Sequence, residues 1–404
     1  MNVEELVRDS LREMAGETEP PSGTLADRVL VLRRRRRTRT VATLAASTAT
    51  VIAIAVGVPL LDGSGGRDAR PARVGDGRVV AHADQSPPRD LIGAGGAVVA
   101  GYSTQKRVKQ PDKDEITTRT YWLLDPGSRT YKKDTRWSFV AVAPGARLAA
   151  VLERELPVSR VGLLDLSTGK VERWIQVPQG VGGLAFSPDG TKLVATTYAK
   201  NPDRAFWSKR IPVNDEVEPQ TVPSRTGFTL IDVASGDAQW HKLPYWKDEL
   251  GLSLNARADL EFSHDGKLLW EPIPMKSGSV YHSFDGTKVA TPADEAHVDP
   301  WVDAGLSPDG KLVAGGFAGK GKEIASAVDD PATGKRITKV PGQQLLAWAD
   351  GKRLIAWGIG GDHNEYHQRL VLVTVGSKKA EPLSGFRSPK DDTGGRWEPL
   401  FTTR

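Results

Sequence analysis

The chain has 404 residues, with 55 basic and 50 acidic side chains, a formal net charge of +5 and no cysteine. This length exceeds a typical domain of about 100 to 200 residues, although all-β assemblies can be longer as one unit. The charge excess is small and spread along the chain, so a nucleic-acid-binding surface is not expected. The lack of cysteine excludes disulfides, a thiolate nucleophile and zinc sites with cysteine ligands.

Residues 1–40 contain a short helical pattern. In "MNVEELVRDSLREM" the residues Val3, Leu6, Val7, Leu11 and Met14 recur at three- and four-residue spacings, which predicts one apolar helix face. Such a helix lies on the inner membrane leaflet or in solvent, or it docks a cytoplasmic protein, and the sequence leaves these alternatives open.

Residues 41–61 are uncharged and mostly apolar, and their length matches the roughly 20 residues of a transmembrane helix. Arginines crowd the segment just before residue 41, whereas the first charge after it is Asp62, so the N-terminus is expected in the cytoplasm. The alternatives are a cleaved export signal and a buried helix. We therefore expect a single-pass membrane protein with a flexible stalk at 62–78 and an extracytoplasmic domain at 79–404.

Two short turn motifs recur along the chain. The first occurs in "FSPDGTKL" at 186, "FSHDGKLL" at 262, "LSPDGKLV" at 306 and "WADGKRLI" at 348. The second occurs in "LLDPGSRTY" at 123, "LLDLSTGKV" at 163, "LIDVASGDAQ" at 230 and "VDDPATGKRI" at 328. Aspartate and glycine in these positions favour tight turns between apolar strands, so each unit is predicted to be a four-stranded antiparallel sheet.

The spacing of the first motif predicts the architecture. With the variant forms "GAGGAVVA" at 93 and "VAPGARLA" at 142, its turn glycines are Gly96, Gly145, Gly190, Gly266, Gly310 and Gly351, at gaps of 49, 45, 76, 44 and 41 residues. A propeller blade repeats about every 40 to 50 residues, and the 76-residue gap is interpreted as one blade with a long insertion. The fold class is therefore all-β, a six-bladed β-propeller. The ends "GRVVAHAD" at 77 and "RWEPLFTTR" at 396 are expected to pair and close the ring, or to form a seventh blade.

These turn motifs resemble those of the TolB-like and WD40-like β-propeller family over residues 90 to 385. The resemblance implies a propeller, and propellers of this kind serve as binding platforms, sensors, subunits and in some cases enzyme domains. The N-terminal segment resembles the cytoplasmic leaders of membrane proteins from high-GC Gram-positive bacteria, some of which work beside sigma factors.

The long connections are predicted to share one face, because both tight-turn types lie at the other. They begin at 103, 198, 241 and 360, and the last three of them carry aromatic side chains that suit ligand binding. The predicted binding-face residues are Phe206, Trp207, Tyr245, Trp246 and Tyr366. The alternative is that these aromatics only fix the connections to the ring.

No catalytic, cofactor-binding or metal-binding residue is assigned. "HNEYH" at 363 has two histidines four apart, but it is predicted to lie in a loop and Asn364 stands where the zincin motif has glutamate. The aspartates Asp189, Asp265 and Asp309 are interpreted as turn residues.

The sequence thus favours a membrane-anchored propeller without catalytic activity that binds a protein, a peptide or a cell-wall glycan. Two alternatives remain at this stage. One is a signalling or anti-sigma-like protein in which residues 1–40 hold a cytoplasmic partner. The other is a propeller enzyme of lactonase or lyase type that uses the loop face or the central channel.

Overall fold

The computed structural model describes residues 77–213, 216–244, 257–273, 278–389 and 396–404. These residues form β-strands and turns, with no helix among them, so the predicted all-β class is confirmed. In particular, they include no helix with the length and apolar character to cross a membrane. The predicted transmembrane segment 41–61 and the predicted helix within 1–40 lie outside the described residues.

The described residues form 25 strands, numbered in chain order. The first thirteen are β1 (Gly93–Ala94), β2 (Ala97–Lys109), β3 (Glu115–Asp125), β4 (Thr130–Asp134), β5 (Trp137–Val142), β6 (Leu148–Glu153), β7 (Val158–Asp165), β8 (Lys170–Phe186), β9 (Lys192–Tyr198), β10 (Arg204–Val213), β11 (Glu216–Thr221), β12 (Arg225–Asp232) and β13 (Ala238–Lys242). The others are β14 (Glu261–Phe262), β15 (Leu269–Pro272), β16 (Ser279–His282), β17 (Lys288–Val289), β18 (Val313–Phe317), β19 (Ala325–Asp329), β20 (Arg336–Pro341), β21 (Gln344–Trp348), β22 (Arg353–Ile359), β23 (Gln368–Thr374), β24 (Ala380–Pro382) and β25 (Glu398–Thr403).

The first sheet contains both ends of the described domain. Its strands β2, β3 and β4 are antiparallel neighbours, and the C-terminal strand β25 pairs with the other side of β2, from Ala97↔Thr403 to Ser103↔Glu398. The expectation that residues 77–84 pair with the C-terminal strand is wrong, because Val80 bridges Gly93 and His82 bridges Ser384. The C-terminal strand β25 therefore completes the first sheet by pairing with β2. The strand β2 is longer than the segment 77–84 and offers more backbone groups for hydrogen bonds.

The next sheet has seven strands in the order β13-β12-β9-β8-β7-β6-β5. Its central strand β8 serves two four-stranded units. Residues near Lys170 pair with β7, whereas Val181 to Phe186 pair with β9. One continuous strand thus ends one repeat and begins the next.

The remaining repeats form three smaller antiparallel sheets, β14–β17, β18–β20 and β21–β24, with their strands in sequence order. The bridge between Leu306 and Val313 adds a short fourth element to the second of these. Strand direction alternates in each sheet, so the tight turns lie at one end of the strands and the longer connections at the other end. This agrees with the predicted division into two faces. These two ends of the strands are called the tight-turn edge and the opposite edge below.

The first tight turn owes its shape to aspartate and glycine. Gly190 and Gly310 have φ of +72° and +68°, in the left-handed region that favours glycine. The Asp189 carboxylate accepts hydrogen bonds from the Ser187 hydroxyl at 2.6 Å and the Thr191 amide at 3.0 Å. These aspartates are turn residues, as predicted. Gly96 and Gly351 have no positive φ, so the motif glycine does not play this role in every repeat.

Apolar packing joins neighbouring sheets face to face. One buried cluster combines Val99 and Phe401 of the first sheet with Ile355 and Trp357 of the last. A Cβ on Gly95 would lie 2.1 Å from the Ala349 carbonyl oxygen, so the two sheets approach closely there. The last sheet therefore packs on the first, which is the arrangement of a propeller ring.

Candidate functional site

The edge opposite the tight turns carries an extension built from four strands. It consists of the outer parts of β2 and β3, residues 104–118, together with β10 and β11, and is called the double ribbon below. β10 joins β3 through Arg204↔Ile116 and Ala205↔Glu115, and it pairs with β11 on both sides of an irregularity between Phe206 and Ile211. The prediction that the connections beginning at 103 and 198 are long loops is wrong, because both form β-hairpins that pair with each other.

Asp114 fixes the two hairpins together. Its carboxylate accepts hydrogen bonds from Arg204 Nε at 2.7 Å and from the Trp207 amide at 2.8 Å. Burial raises the pKa of Asp114, but these hydrogen bonds and the Arg204 charge outweigh burial and lower that pKa below its ordinary value. Arg204 also contacts Asp112, so one guanidinium holds both acids of the β2–β3 turn.

The predicted binding residues Phe206 and Trp207 lie on β10 and are half-buried. The Lys200 ammonium is 5.5 Å and the Arg204 guanidinium 5.7 Å from the Phe206 ring centroid. The Arg210 guanidinium is 5.5 Å from the Trp207 ring centroid. Each aromatic ring therefore has a cation of the same chain on it, which orders both side chains at the surface.

The other predicted binding residues lie elsewhere. Tyr366 is in the connection between β22 and β23, and the Arg396 guanidinium is 5.6 Å from its ring centroid. Tyr245 and Trp246 lie outside the described residues. The structure thus brings Phe206 and Trp207 to one strand and places Tyr366 on a different sheet of the same edge.

A buried ionic network lies at the base of the double ribbon. Asp203 accepts a hydrogen bond from Arg119 Nη1 at 2.6 Å and one from Arg257 Nε at 3.1 Å. Arg257 also contacts Asp259 at 2.9 Å, and Asp259 accepts a hydrogen bond from the Tyr198 hydroxyl at 2.8 Å. Burial raises the pKa of Asp203, but the two guanidinium charges outweigh burial and lower that pKa. The network ties the ribbon to β9 of the seven-stranded sheet and to the segment just before β14.

A second buried ion pair flanks the first. Arg225 donates to both carboxylate oxygens of Glu271, at 2.6 and 2.9 Å, and His282 Nε2 is 3.1 Å from the same carboxylate. The sequence did not indicate either network. Arg119 and Asp203 are 84 positions apart, and a single charged residue in a strand pattern is indistinguishable from a solvent-facing one.

Strand β14 carries a carboxyl group in an unfavourable setting. Glu261 is 7% exposed and lies near the charges of Asp259 and Asp303. Burial, with a smaller contribution from these two negative charges, raises the pKa of Glu261 to about 8. This carboxyl is therefore protonated near neutral pH.

A second cluster lies at the junction of the last sheet and β25, and it is called the seam cluster below. It comprises Gln343, Trp357, Gln368, Arg387 and Arg396. The Gln368 side-chain oxygen accepts hydrogen bonds from Arg387 Nη2 and, at 2.8 Å, from Arg396 Nη2. The Gln368 side-chain nitrogen donates to Gln343 Oε1. Two guanidinium groups therefore converge on one neutral amide.

The described residues show no cluster of three histidine, cysteine, aspartate or glutamate side chains arranged to hold a metal ion. In "HNEYH", His363 takes a positive φ of 55° in a turn, and His367 Nδ1 contacts Asp362 at 2.9 Å. The segment connects β22 and β23, as predicted.

No protein-family model matches the chain, and no curated protein matches it. Solved structures with a similar fold include TolB from Acinetobacter baumannii, with 15% identity over 76% of this chain and 67% of that chain, and a TM-score of 0.36. The Swd1 β-propeller domain from Myceliophteria thermophila has 13% identity over 72% and 87% of the two chains, with a TM-score of 0.37. Oligogalacturonate lyase in complex with manganese has 14% identity over 76% and 86%, with a TM-score of 0.38. These likenesses concern the fold alone, and the predicted propeller is supported by the repeated antiparallel sheets described above.

These structures correct one prediction. The sequence favoured a protein without catalytic activity, yet the similar folds include oligogalacturonate lyase and a dihydro-heme d1 dehydrogenase. The prediction that the chain is not an enzyme is therefore wrong, because a propeller fold does not exclude catalytic activity. A propeller ring and missing catalytic motifs do not decide whether a chain is an enzyme.

Proposed function

We propose that this chain is a membrane-anchored β-propeller that binds a protein, peptide or glycan ligand on the edge that carries the double ribbon. The observation that carries the proposal is the pairing of β10 with β3, which turns two long connections into one ordered surface. Rigid surfaces lose less conformational entropy on binding than loops do. An extension that serves no repeat of its own needs another role, and ligand recognition suits its half-buried aromatic residues.

The outer edge of the double ribbon favours side-chain contacts over addition of another strand. Pro219 lies in β11, and proline has no N–H to offer a neighbouring strand. Along the sheet, basic residues on β2 and β10 alternate with acidic residues on β3 and β11, for example Lys106, Glu115, Lys209 and Glu218. Such alternation suits a protein or peptide of mixed charge better than a uniform polyanion.

The proposed ring has six blades. Its units are β25 with β2–β4, β5–β7 with the start of β8, the end of β8 with β9, β12 and β13, then β14–β17, β18–β20 and β21–β24. This grouping supports the count, because it uses every described strand except the short β1 and the β10–β11 hairpin.

The proposed location is the cell membrane, with the N-terminus in the cytoplasm and the propeller outside. The apolar segment 41–61 and the arginines before it support this topology. A reporter fused after Arg404 is expected to be active outside the membrane, and one fused after Gly16 inside. The reverse pattern would contradict the proposed location.

Photo-crosslinking tests the proposed binding edge. A benzophenone amino acid is introduced at Phe206 or Tyr366, with Thr168 on the tight-turn edge as the matched exposed control. We expect the full-length protein to form one discrete crosslinked product from the first two positions and none from Thr168. Crosslinking from Thr168 alone would show that the ligand binds at the opposite edge.

A trimmed variant gives an independent readout. Replacing residues 207–219 by a short glycine turn removes the hairpin tip and keeps Asp203 and Arg225, which belong to the buried ion pairs. Because loop length alone contributes little to folding, we expect the melting temperature to change little. The crosslink from Tyr366 is expected to weaken, and an unchanged crosslink would exclude the double ribbon from recognition.

A further inference from the structure

The seam cluster contains a buried cation that its surroundings do not fully compensate. The Arg387 side chain is 4% exposed and contacts Glu398 at 2.6 Å. Its guanidinium lies 3.8 Å from the centroid of the Trp357 ring, which fixes the plane of the group. Among the described residues, nothing accepts a hydrogen bond from the buried Arg387 Nε. An orphaned buried donor on a charged group is costly, so its presence requires an explanation.

The charges around Arg387 also indicate that its positive charge is not fully compensated. Burial lowers the pKa of the Arg387 guanidinium, and the charge of Glu398 restores only part of the difference. Arg396 brings a second guanidinium to the same place, since both donate to the Gln368 side-chain oxygen. Glu398 supplies one carboxylate to Arg387, and the Gln368 amide that both guanidiniums share is a weaker acceptor than a second carboxylate would be.

We propose that the seam cluster binds a carboxylate group of a ligand, held by Arg387 and Arg396 in the place that the Gln368 amide now occupies. A carboxylate and a side-chain amide are both planar and nearly equal in size, so a carboxylate can take the place of the amide once Gln368 rotates away. A carboxylate also supplies two charged acceptors for guanidinium groups of fixed geometry.

The seam cluster lies at the binding edge, where Arg387 and Gln368 are buried and Arg396 is partly exposed. Gln343 precedes β21, Gln368 begins β23, and Arg396 lies just before β25, all at the edge opposite the tight turns. Tyr366, which sequence reasoning selected as a binding residue, contacts Arg396. The seam cluster is distinct from the double ribbon, so this proposal stands or falls independently of the proposed function.

Thermal unfolding of the full-length protein with succinate tests the proposal. Succinate is expected to raise the melting temperature in a saturable manner with a Kd on the order of millimolar, whereas the neutral succinamide has no effect. Inorganic phosphate at equal ionic strength is expected to be weaker. Equal stabilisation by succinamide, or stronger binding of phosphate, would overturn the proposal.

Two substitutions locate the effect. Arg396→Gln keeps the buried Arg387 and is expected to weaken succinate binding by about tenfold. Gln368→Glu places a carboxylate on both guanidiniums, so we expect this variant to be more stable than the natural protein and to lose its response to succinate. Gln239→Glu, at an exposed position on β13, is the matched control and should respond like the natural protein.

One further variant separates an external ligand from the chain's own carboxylates. The segment between Ser388 and Arg396 contains Asp391 and Asp392. In the Asp391→Asn and Asp392→Asn double variant, succinate is expected to bind at least as well as before. If Gln368→Glu instead lowered the melting temperature, or left the succinate response unchanged, the seam cluster would be a structural network only.

Discussion

Replacing Glu261 by glutamine tests the electrostatics of the inner strand β14. The Glu261 carboxyl is 7% exposed, and among the described residues no side chain donates a hydrogen bond to it. Burial and the neighbouring charges of Asp259 and Asp303 raise its pKa from the ordinary 4.5 to about 8. The folded protein therefore holds a proton that the unfolded chain releases at much lower pH.

The sign of the effect follows from this difference. Between pH 4.5 and about 8 the folded state binds one more proton than the unfolded state, so the free energy of unfolding falls as the pH rises. The slope from this one group reaches about 1.4 kcal/mol per pH unit. Below this window both states are protonated, and above it both are ionised, so the contribution is constant on either side. Glutamine has no proton to lose and removes the slope.

Urea denaturation across the pH range provides the measurement. We expect Glu261→Gln to gain stability relative to the natural protein as the pH rises, with the difference growing by about 1 kcal/mol per pH unit and levelling off near pH 8. The exposed Glu155→Gln is the matched control and should leave the pH profile unchanged. Parallel profiles for Glu261→Gln and the natural protein would refute the reasoning, because they would mean that Glu261 is ionised in both states.

Two further substitutions test the turns and the buried network. Gly310→Val is expected to destabilise the protein by about 1 to 3 kcal/mol, because valine avoids the φ of +68°. The control Gly361→Val, at an open position without positive φ, should cost less than about 1 kcal/mol. Equal melting temperatures for the two variants would mean that the turn is misassigned. Asp203→Asn leaves two buried guanidiniums without their shared carboxylate, so the free energy of unfolding is expected to fall by about 3 to 5 kcal/mol in chemical denaturation. The control Asp112→Asn on the exposed turn should lower it by less than about 1 kcal/mol. Similar losses for the two variants would place Asp203 outside the core network.

The repeat architecture was predictable because its determinants are local. In the turn around Gly190, the Asp189 carboxylate contacts residues only two positions away, so the motif itself contains the chemistry that bends the chain. The spacing of the motifs then predicted successive units of antiparallel strands, whereas two of the sheets have seven strands and one has three instead of the four expected in each unit. Even the 76-residue gap was correctly interpreted as one repeat with an insertion, since β12 returns to pair with β9.

The double ribbon was not predictable because its determinants are distant. Arg204 pairs with Ile116 and contacts Asp114, which is 90 positions away. The sequence of neither segment indicates that the two pair with each other, and both have the polar composition of a loop. The same holds for Asp203, whose two arginine partners come from other repeats. The pairing of the C-terminal strand is a further long-range feature, since β25 pairs with β2 and not with the strand-like residues near Val80.

The seam cluster couples ligand binding to closure of the ring. Arg396 and Glu398 contact the last sheet beside the start of β25, which pairs with β2, so the cluster lies where the first and last sheets meet. A ligand that binds the closed ring and not the open chain stabilises closure by mass action, by about 2.7 kcal/mol at a concentration one hundred times Kd. In a ring joined by one terminal strand, that strand is where opening costs least. A carboxylate bound at the seam therefore strengthens the propeller at the point where its two ends meet.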